Sequence, residues 1–334
     1  MTRGCEETQT LKILGRFVVA WFAVATLVGC DNAGQDRAKT KQAFADQPLT
    51  KRIVAVSYPL QWVAQQIAGD GYEVAFPGAG AADPAAWRPD RQTVAEMQAA
   101  DLIIANGTGA TYAKWLTTVS LPESKLISTA SRGLALSDYI MVEDIRLVHS
   151  HGPEGEHSHP TMIAETWLDP AMLKKQAIQI ESQLAKTYPD DALQFAGNLK
   201  SIERSLETLS ALETDSKLPK IVVTATPQMK FLTRSLNIED LHLNWNVKTT
   251  AESAKGDLEK LFEATTEQRP GIIVFPARLK ALAQRLKPFL STSKLSPAFI
   301  DLLENADPQR TLVERIHANI QTLSGELKDN VSPA

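Results

Sequence analysis

The chain has 334 residues, with 35 Lys and Arg against 39 Asp and Glu, for a formal net charge of -4. That balance, with no basic stripe anywhere along the chain, excludes nucleic acid as a partner. Two cysteines, Cys5 and Cys30, are too few for a disulfide framework or a thiolate metal cluster.

Arg3, Lys12 and Arg16 precede an uncharged apolar run from Phe17 to Gly29, the plan of an export signal. The run is too short to cross a bilayer, which takes roughly 20 apolar residues. It closes on Leu27-Val28-Gly29-Cys30, which resembles the lipobox of bacterial lipoproteins; residues 1–30 are then a signal peptide ending at a lipidated Cys30. Residues 31–49 are polar and aperiodic, as in a flexible tether. Asp31, directly after the cysteine, resembles an inner-membrane retention signal. The expected address is the periplasm, anchored by lipid to the inner membrane.

From residue 50 the pattern alternates. RIVAVS, beginning at Arg52, reads as a strand, LQWVAQQIAG as a helix stopped by Gly69, and YEVAFP as a second strand. After the loop GAGAADPAAWRPD come a helix in TVAEMQAAD and a strand in LIIANG, and TYAKWLTTVSLPESKLIST continues as helix, then strand. Such alternation implies parallel strands with crossover helices, an N-terminal α/β lobe over residues 50–188. Ligands in such lobes sit at the carboxyl ends of strands, so the loops after Ser57, Pro77 and Asn106 are candidate lining.

The segment from His149 to Pro170, HSHGPEGEHSHPTMIAETWLDP, carries four of the six histidines, His149, His151, His157 and His159. Glu154 and Glu156 lie between them. Imidazole and carboxylate at this density suit a borderline divalent cation such as Zn(II), and the interspersed glycines and proline suit a mobile loop, residues 149–159. On an extended chain the two residues of an H-x-H pair face the same side and can share an ion. Glu165 follows as a further carboxylate donor. His242 and His317 stand alone and read as packing or surface residues, and Asp169 reads as a helix cap.

Helices then dominate. AMLKKQAIQIESQLAKTY is one, and Pro189-Asp190-Asp191 opens another in which Phe195, Leu199, Ile202, Leu206 and Leu209 form one apolar stripe. A helix reaching about residue 213 would be roughly 36 Å long at 1.5 Å per residue, so residues 189–214 read as a rod between two lobes. Residues 215–334 repeat the α/β pattern. KIVVT, GIIVFP and AFIDLL are strands, LHLNWNV offers a further strand, and helices lie in PQMKFLTRSLN, GDLEKLFEATTEQ, ARLKALAQRLKPFL and LVERIHANIQTLSGEL. The fold class expected is α/β, two lobes joined by a long rigid helix, with a cleft between them. No H-E-x-x-H, G-x-S-x-G or P-loop occurs, so no enzyme is expected.

Several of these motifs resemble the substrate-binding lipoproteins of zinc and manganese ABC importers. SYPLQWVAQQIAGDGYEV is similar to that family's opening strand and helix, and DPAAWRPD to its DPHxWxP segment. ADLIIANG with TYAKW is similar to its ADLxxxNGxxxExW, and TWLDP to its HxWLDP; the combination with HSHGPEGEHSH resembles a divergent DPAxW branch. The resemblance implies a divalent metal, Zn(II) first, an ABC permease in the inner membrane as partner, and a monomer. It also implies ligand positions that here hold Ala85, Glu165, Thr226 (or Ala225, by the alternative alignment) and Pro276, with Asn244 where the divergent branch has a histidine. Threonine, asparagine and proline are poor zinc ligands, which leaves His242 and Asp301 as the C-terminal lobe's donors and shifts the metal toward the histidine loop. Two alternatives stand beside an importer component: a paralogue that has lost high-affinity metal binding and acts as a regulatory lipoprotein, and a metal-dependent hydrolase.

Overall fold

The computed structural model describes residues 51–107, 112–143, 149–150, 156–157, 160–211, 217–265 and 269–325. Cys30, the tether over 31–49, His151 and His159 lie outside the described residues. Residues 50–334 form one compact unit.

Its N-terminal half is built on four parallel strands, β1 (Arg52–Ala55), β2 (Glu73–Ala75), β3 (Leu102–Ala105) and β4 (Leu126–Ser128), in the order β2-β1-β3-β4. Every residue of β3 is buried, as a strand covered on both faces requires. The first helix, α1 (Tyr58–Ala68), buries Leu60, Val63, Ala64 and Ile67 and ends at Gly69, whose φ of 78° favours glycine. Asp90 caps α2 (Arg91–Ala99) by accepting the Thr93 N–H. Where the sequence suggests a helix over TYAKW, a single 3-10 turn spans Lys114–Thr117, and Ala113 just before it takes a left-handed φ of 51°, so no α-helix runs through the segment. A short helix α3 (Thr129–Gly133) follows β4.

Past α3 the chain makes an antiparallel arm, β5 (Met141–Glu143) against β8 (Pro160–Met162), with Val142 opposite Thr161. Between them β6 (His149–Ser150) pairs with β7 (Glu156–His157), and the register sets His149 opposite His157. The histidine segment therefore contains backbone pairing that its composition alone does not suggest.

Helix α4 (Pro170–Thr187) starts at Asp169, whose carboxylate accepts the Ala171 and Met172 N–H groups. The long α5 (Ala192–Ala211) follows a 3-10 turn at Pro189–Asp191. Its buried residues are Phe195, Leu199, Ile202, Leu206 and Leu209, the apolar stripe of the sequence, and it packs on α4 and α1. At its entrance Lys51 Nζ donates to Asp191 Oδ2 at 2.5 Å and to the Tyr72 hydroxyl at 2.9 Å.

The second half repeats the sheet with β9 (Ile221–Thr224), β10 (Glu239–His242), β11 (Ile272–Pro276) and β12 (Ser296–Ile300), all parallel in the order β10-β9-β11-β12. Around it lie α6 (Lys230–Ser235), α7 (Ala251–Ala264), α8 (Lys280–Thr292) and α9 (Leu312–Leu323), the last opened by a Thr311–Glu314 capping box. One core runs from Leu60, Ile67, Trp167 and Phe195 into Phe231, Leu302 and Ile316, so it belongs to both lobes. Polar contacts reinforce the seam. Trp167 Nε1 donates to the Leu302 carbonyl at 3.0 Å, Arg234 Nη1 to the Asp138 carbonyl at 2.6 Å, and Asn305 Nδ2 to the Ala81 carbonyl at 3.1 Å.

Candidate functional site

The loops at the carboxyl ends of the two sheets face each other across a cleft of about 490 Å³. Ala82, Asp83, Ala85 and Ala86 line it from the loop after β2, and Val142 and Ile163 from the β5–β8 arm. Across from them stand Thr226 to Gln228 after β9, Asn244 to Val247 after β10, and Arg278 after β11. A second cavity of about 540 Å³ lies alongside, lined by Pro276 and by residues of the loop from Asp301 to Arg310. Ala82 and Arg278 border both.

Glu165 sits in the cleft wall because the chain before the TWL turn is pinned from behind. Asn106, at the end of β3, donates to the Ala164 carbonyl at 2.5 Å and accepts from Gln176 Nε2 at 2.6 Å and Thr166 Oγ1 at 3.1 Å. Gln176 also donates to Thr129 Oγ1 at 2.8 Å, and all four of these side chains are buried. A closed network of this kind fixes one geometry, since any member left unpaired would carry a desolvation penalty. Gly107, next in sequence, has φ 79°, and a Cβ there would come 2.5 Å from Ser128 Cβ. The Asn-Gly pair thus serves as scaffold for Glu165 rather than as lining.

From Glu165 a polar chain crosses the cleft. Gln228 Nε2 donates to Glu165 Oε1 at 2.6 Å, Arg278 Nη2 donates to Gln228 Oε1, and Arg278 Nη1 donates to Glu304 Oε2 at 2.7 Å. Burial pushes the Glu165 carboxyl up to about 7, with the nearby Glu304 charge adding to the rise and the Gln228 bond opposing it. Burial also raises Glu304, whose Oε1 has no hydrogen-bond partner among the described residues. The buried Tyr112 hydroxyl likewise lacks one, and burial beside Glu304 and Glu165 holds its proton on.

Of the positions named from sequence, Ala85, Glu165, Thr226 and Asn244 come together in this cleft. The alternative Ala225 is in the core beneath, and Pro276 opens onto the neighbouring cavity. Asp301 is held by Arg315 at 2.6 Å, and His242, half-buried at the end of β10 with its pKa lowered by burial, does not line the cleft. His317 lies on α9. For His149 and His157 the backbone pairing is described, while His151 and His159 fall outside the described residues. Among the described residues, no group of three or more His, Cys, Asp or Glu is placed to hold a metal ion. Tyr112, Gln228, Arg278 and Glu304 were not foreseen; the position of Gln228 and Arg278 just after parallel strands was the available signal.

Residues 53–325 match the family model described as ZnuA, zinc-uptake complex component A, periplasmic. The metal ABC transporter substrate-binding lipoprotein SsaB of Streptococcus sanguinis is 24% identical over 265 residues, covering 76% of this chain and 78% of that one. The zinc-binding lipoprotein AdcA of Streptococcus pneumoniae is 25% identical over 321 residues, covering 92% of this chain but 60% of its own length. Among solved structures, the Zn(II)-bound ZnuA-like domain of S. pneumoniae AdcA superposes with a TM-score of 0.63 at 19% identity, over 83% of this chain and 98% of that one, a likeness of fold.

Proposed function

The chain belongs to the family of periplasmic component A proteins of zinc-uptake complexes, and from that premise we propose that it is an extracytoplasmic, lipid-anchored substrate-binding protein which captures a divalent metal and delivers it to an ABC permease. The family is one of solute-binding proteins for metal ABC transporters, not of enzymes. In our reading Zn(II) is taken by His149, His151, His157 and His159, with Glu165 as the carboxylate of the cleft behind them, and Cys30 carries the lipid that keeps the protein at the inner membrane.

The observation that supports loop capture is the β6–β7 register, in which His149 lies across from His157. Opposed residues of an antiparallel pair are roughly 5 Å apart along the backbone, so the register brings one histidine of each strand to the same rung. The root of the loop also bears on the cleft, since Val142 and Ile163 at the ends of the β5–β8 arm line it. A second reading, a paralogue that no longer carries metal, is favoured by the want of a three-donor group among the described residues.

Zinc titration of the full chain in detergent, followed by calorimetry, separates the two. Binding tighter than about 1 µM is expected. It should be lost when all four loop histidines become alanine and kept in Glu165→Gln. Retention in the four-histidine variant with loss in Glu165→Gln would move the metal into the cleft, and no binding by the unaltered chain would leave the paralogue.

A further inference from the structure

We propose that the interlobe cleft binds a small carboxylate-bearing organic molecule, anchored by the Arg278 guanidinium and the Asn244 amide. The inference goes beyond loop capture of a metal and does not rest on it.

Size and lining point to a carbon skeleton. A space of about 490 Å³ falls in the range of small-molecule pockets, far more than a bare cation fills. Its walls are largely apolar, from Ala85, Val142, Ile163 and Trp245. Of the positions at which the sequence resemblance expects metal donors, those lining this cleft supply a methyl group at Ala85, a hydroxyl at Thr226 and a single carboxylate, Glu165, already bonded to Gln228. Among the described residues nothing else completes a metal shell there.

Charge and hydrogen bonding point to the carboxylate. Arg278 is the only cationic residue lining this cleft among the described residues, its side chain is about a third exposed, and it borders both cavities. Its Nη2 donates to Gln228 and its Nη1 to Glu304, with which it forms an ion pair; these bonds fix the guanidinium plane, and its remaining N–H groups are the donors a carboxylate would take. Asn244, half-buried on the same side of the cleft, adds an amide donor. On the opposite side the carboxyls of Glu165 and the exposed Asp83 suit whatever positive end the molecule carries, a bound metal included. The shared chemistry is therefore an organic acid, free or as a metal complex.

Calorimetry of the metal-depleted full chain in detergent, with citrate alone and with equimolar zinc citrate as probes, tests this. Binding of either is expected, and which one binds identifies the form taken. Arg278→Ala should weaken it about tenfold or more, Arg278→Lys less, and Asn244→Ala several-fold, with thermal melts confirming that each variant folds. If Arg278→Ala does not fold, Arg278→Lys and Asn244→Ala carry the test. No binding of either probe up to millimolar concentration overturns the proposal, as does binding that folded Arg278 and Asn244 variants leave unchanged.

Discussion

Glu165 is buried with a single side-chain hydrogen bond, and the pH dependence of stability should report it. In an unfolded chain its proton leaves near 4.5, whereas in the folded protein it stays until about 7. Across that window the native state binds more protons than the unfolded one, so stability falls as pH rises from about 4.5 to about 7. Glu165→Gln removes the slope. The variant should gain on the order of 1–3 kcal/mol over the unaltered chain at pH 8 and nothing at pH 4, by urea midpoints; an equal difference at both would mean that Glu165 does not titrate in this way. Glu165 was legible because it stands beside TWLDP, and Ala85 because it stands in DPAAW. Gln228 and Arg278 were not, because a polar residue after a strand acquires its meaning only from the lobe it faces, and no local pattern records that.

Helix α5 was legible almost residue by residue, since five apolar positions at steps of four and three over twenty residues leave little else for the segment to be. Phe195, fully buried and edge-on to Tyr72, is its largest contribution. Phe195→Ala should cost about 3–5 kcal/mol in urea unfolding. The β5–β8 arm and the β6–β7 pairing escaped prediction for the opposite reason, as strands of two or three residues are too short to display a period. Gly107 is the element-scale case where a motif residue has a steric account. Gly107→Ala would need to move Ser128, a neighbour 2.5 Å from the new methyl, and to hold an unfavourable φ. A loss of roughly 2 kcal/mol or more is expected in the same assay, whereas a neutral result would mean that β4 yields easily.

Two parallel sheets with their own helices suggested two lobes from sequence, and the sheets are there, but the hydrophobic core does not respect the division. Trp167 and Phe195 share a cluster with Phe231 and Leu302, so the larger core spans both lobes, while Val223, Trp245 and Phe275 belong to a smaller cluster inside the C-terminal lobe. Calorimetric unfolding should accordingly give one transition with matching calorimetric and van't Hoff enthalpies; two resolved transitions would show the lobes uncoupled. The extent of such a shared core is a tertiary property that alternating patterns cannot convey, since they read the same whether lobes are fused or merely tethered. The lysine clamp at the start of the folded body has a mechanical meaning. Any tension arriving along the preceding chain meets Lys51, which is tied to Tyr72 and to Asp191 at the mouth of α5, one residue before β1. With β1 flanked on both sides by parallel neighbours, a pull on its first residue loads both ladders in shear, many hydrogen bonds at once, instead of peeling them singly.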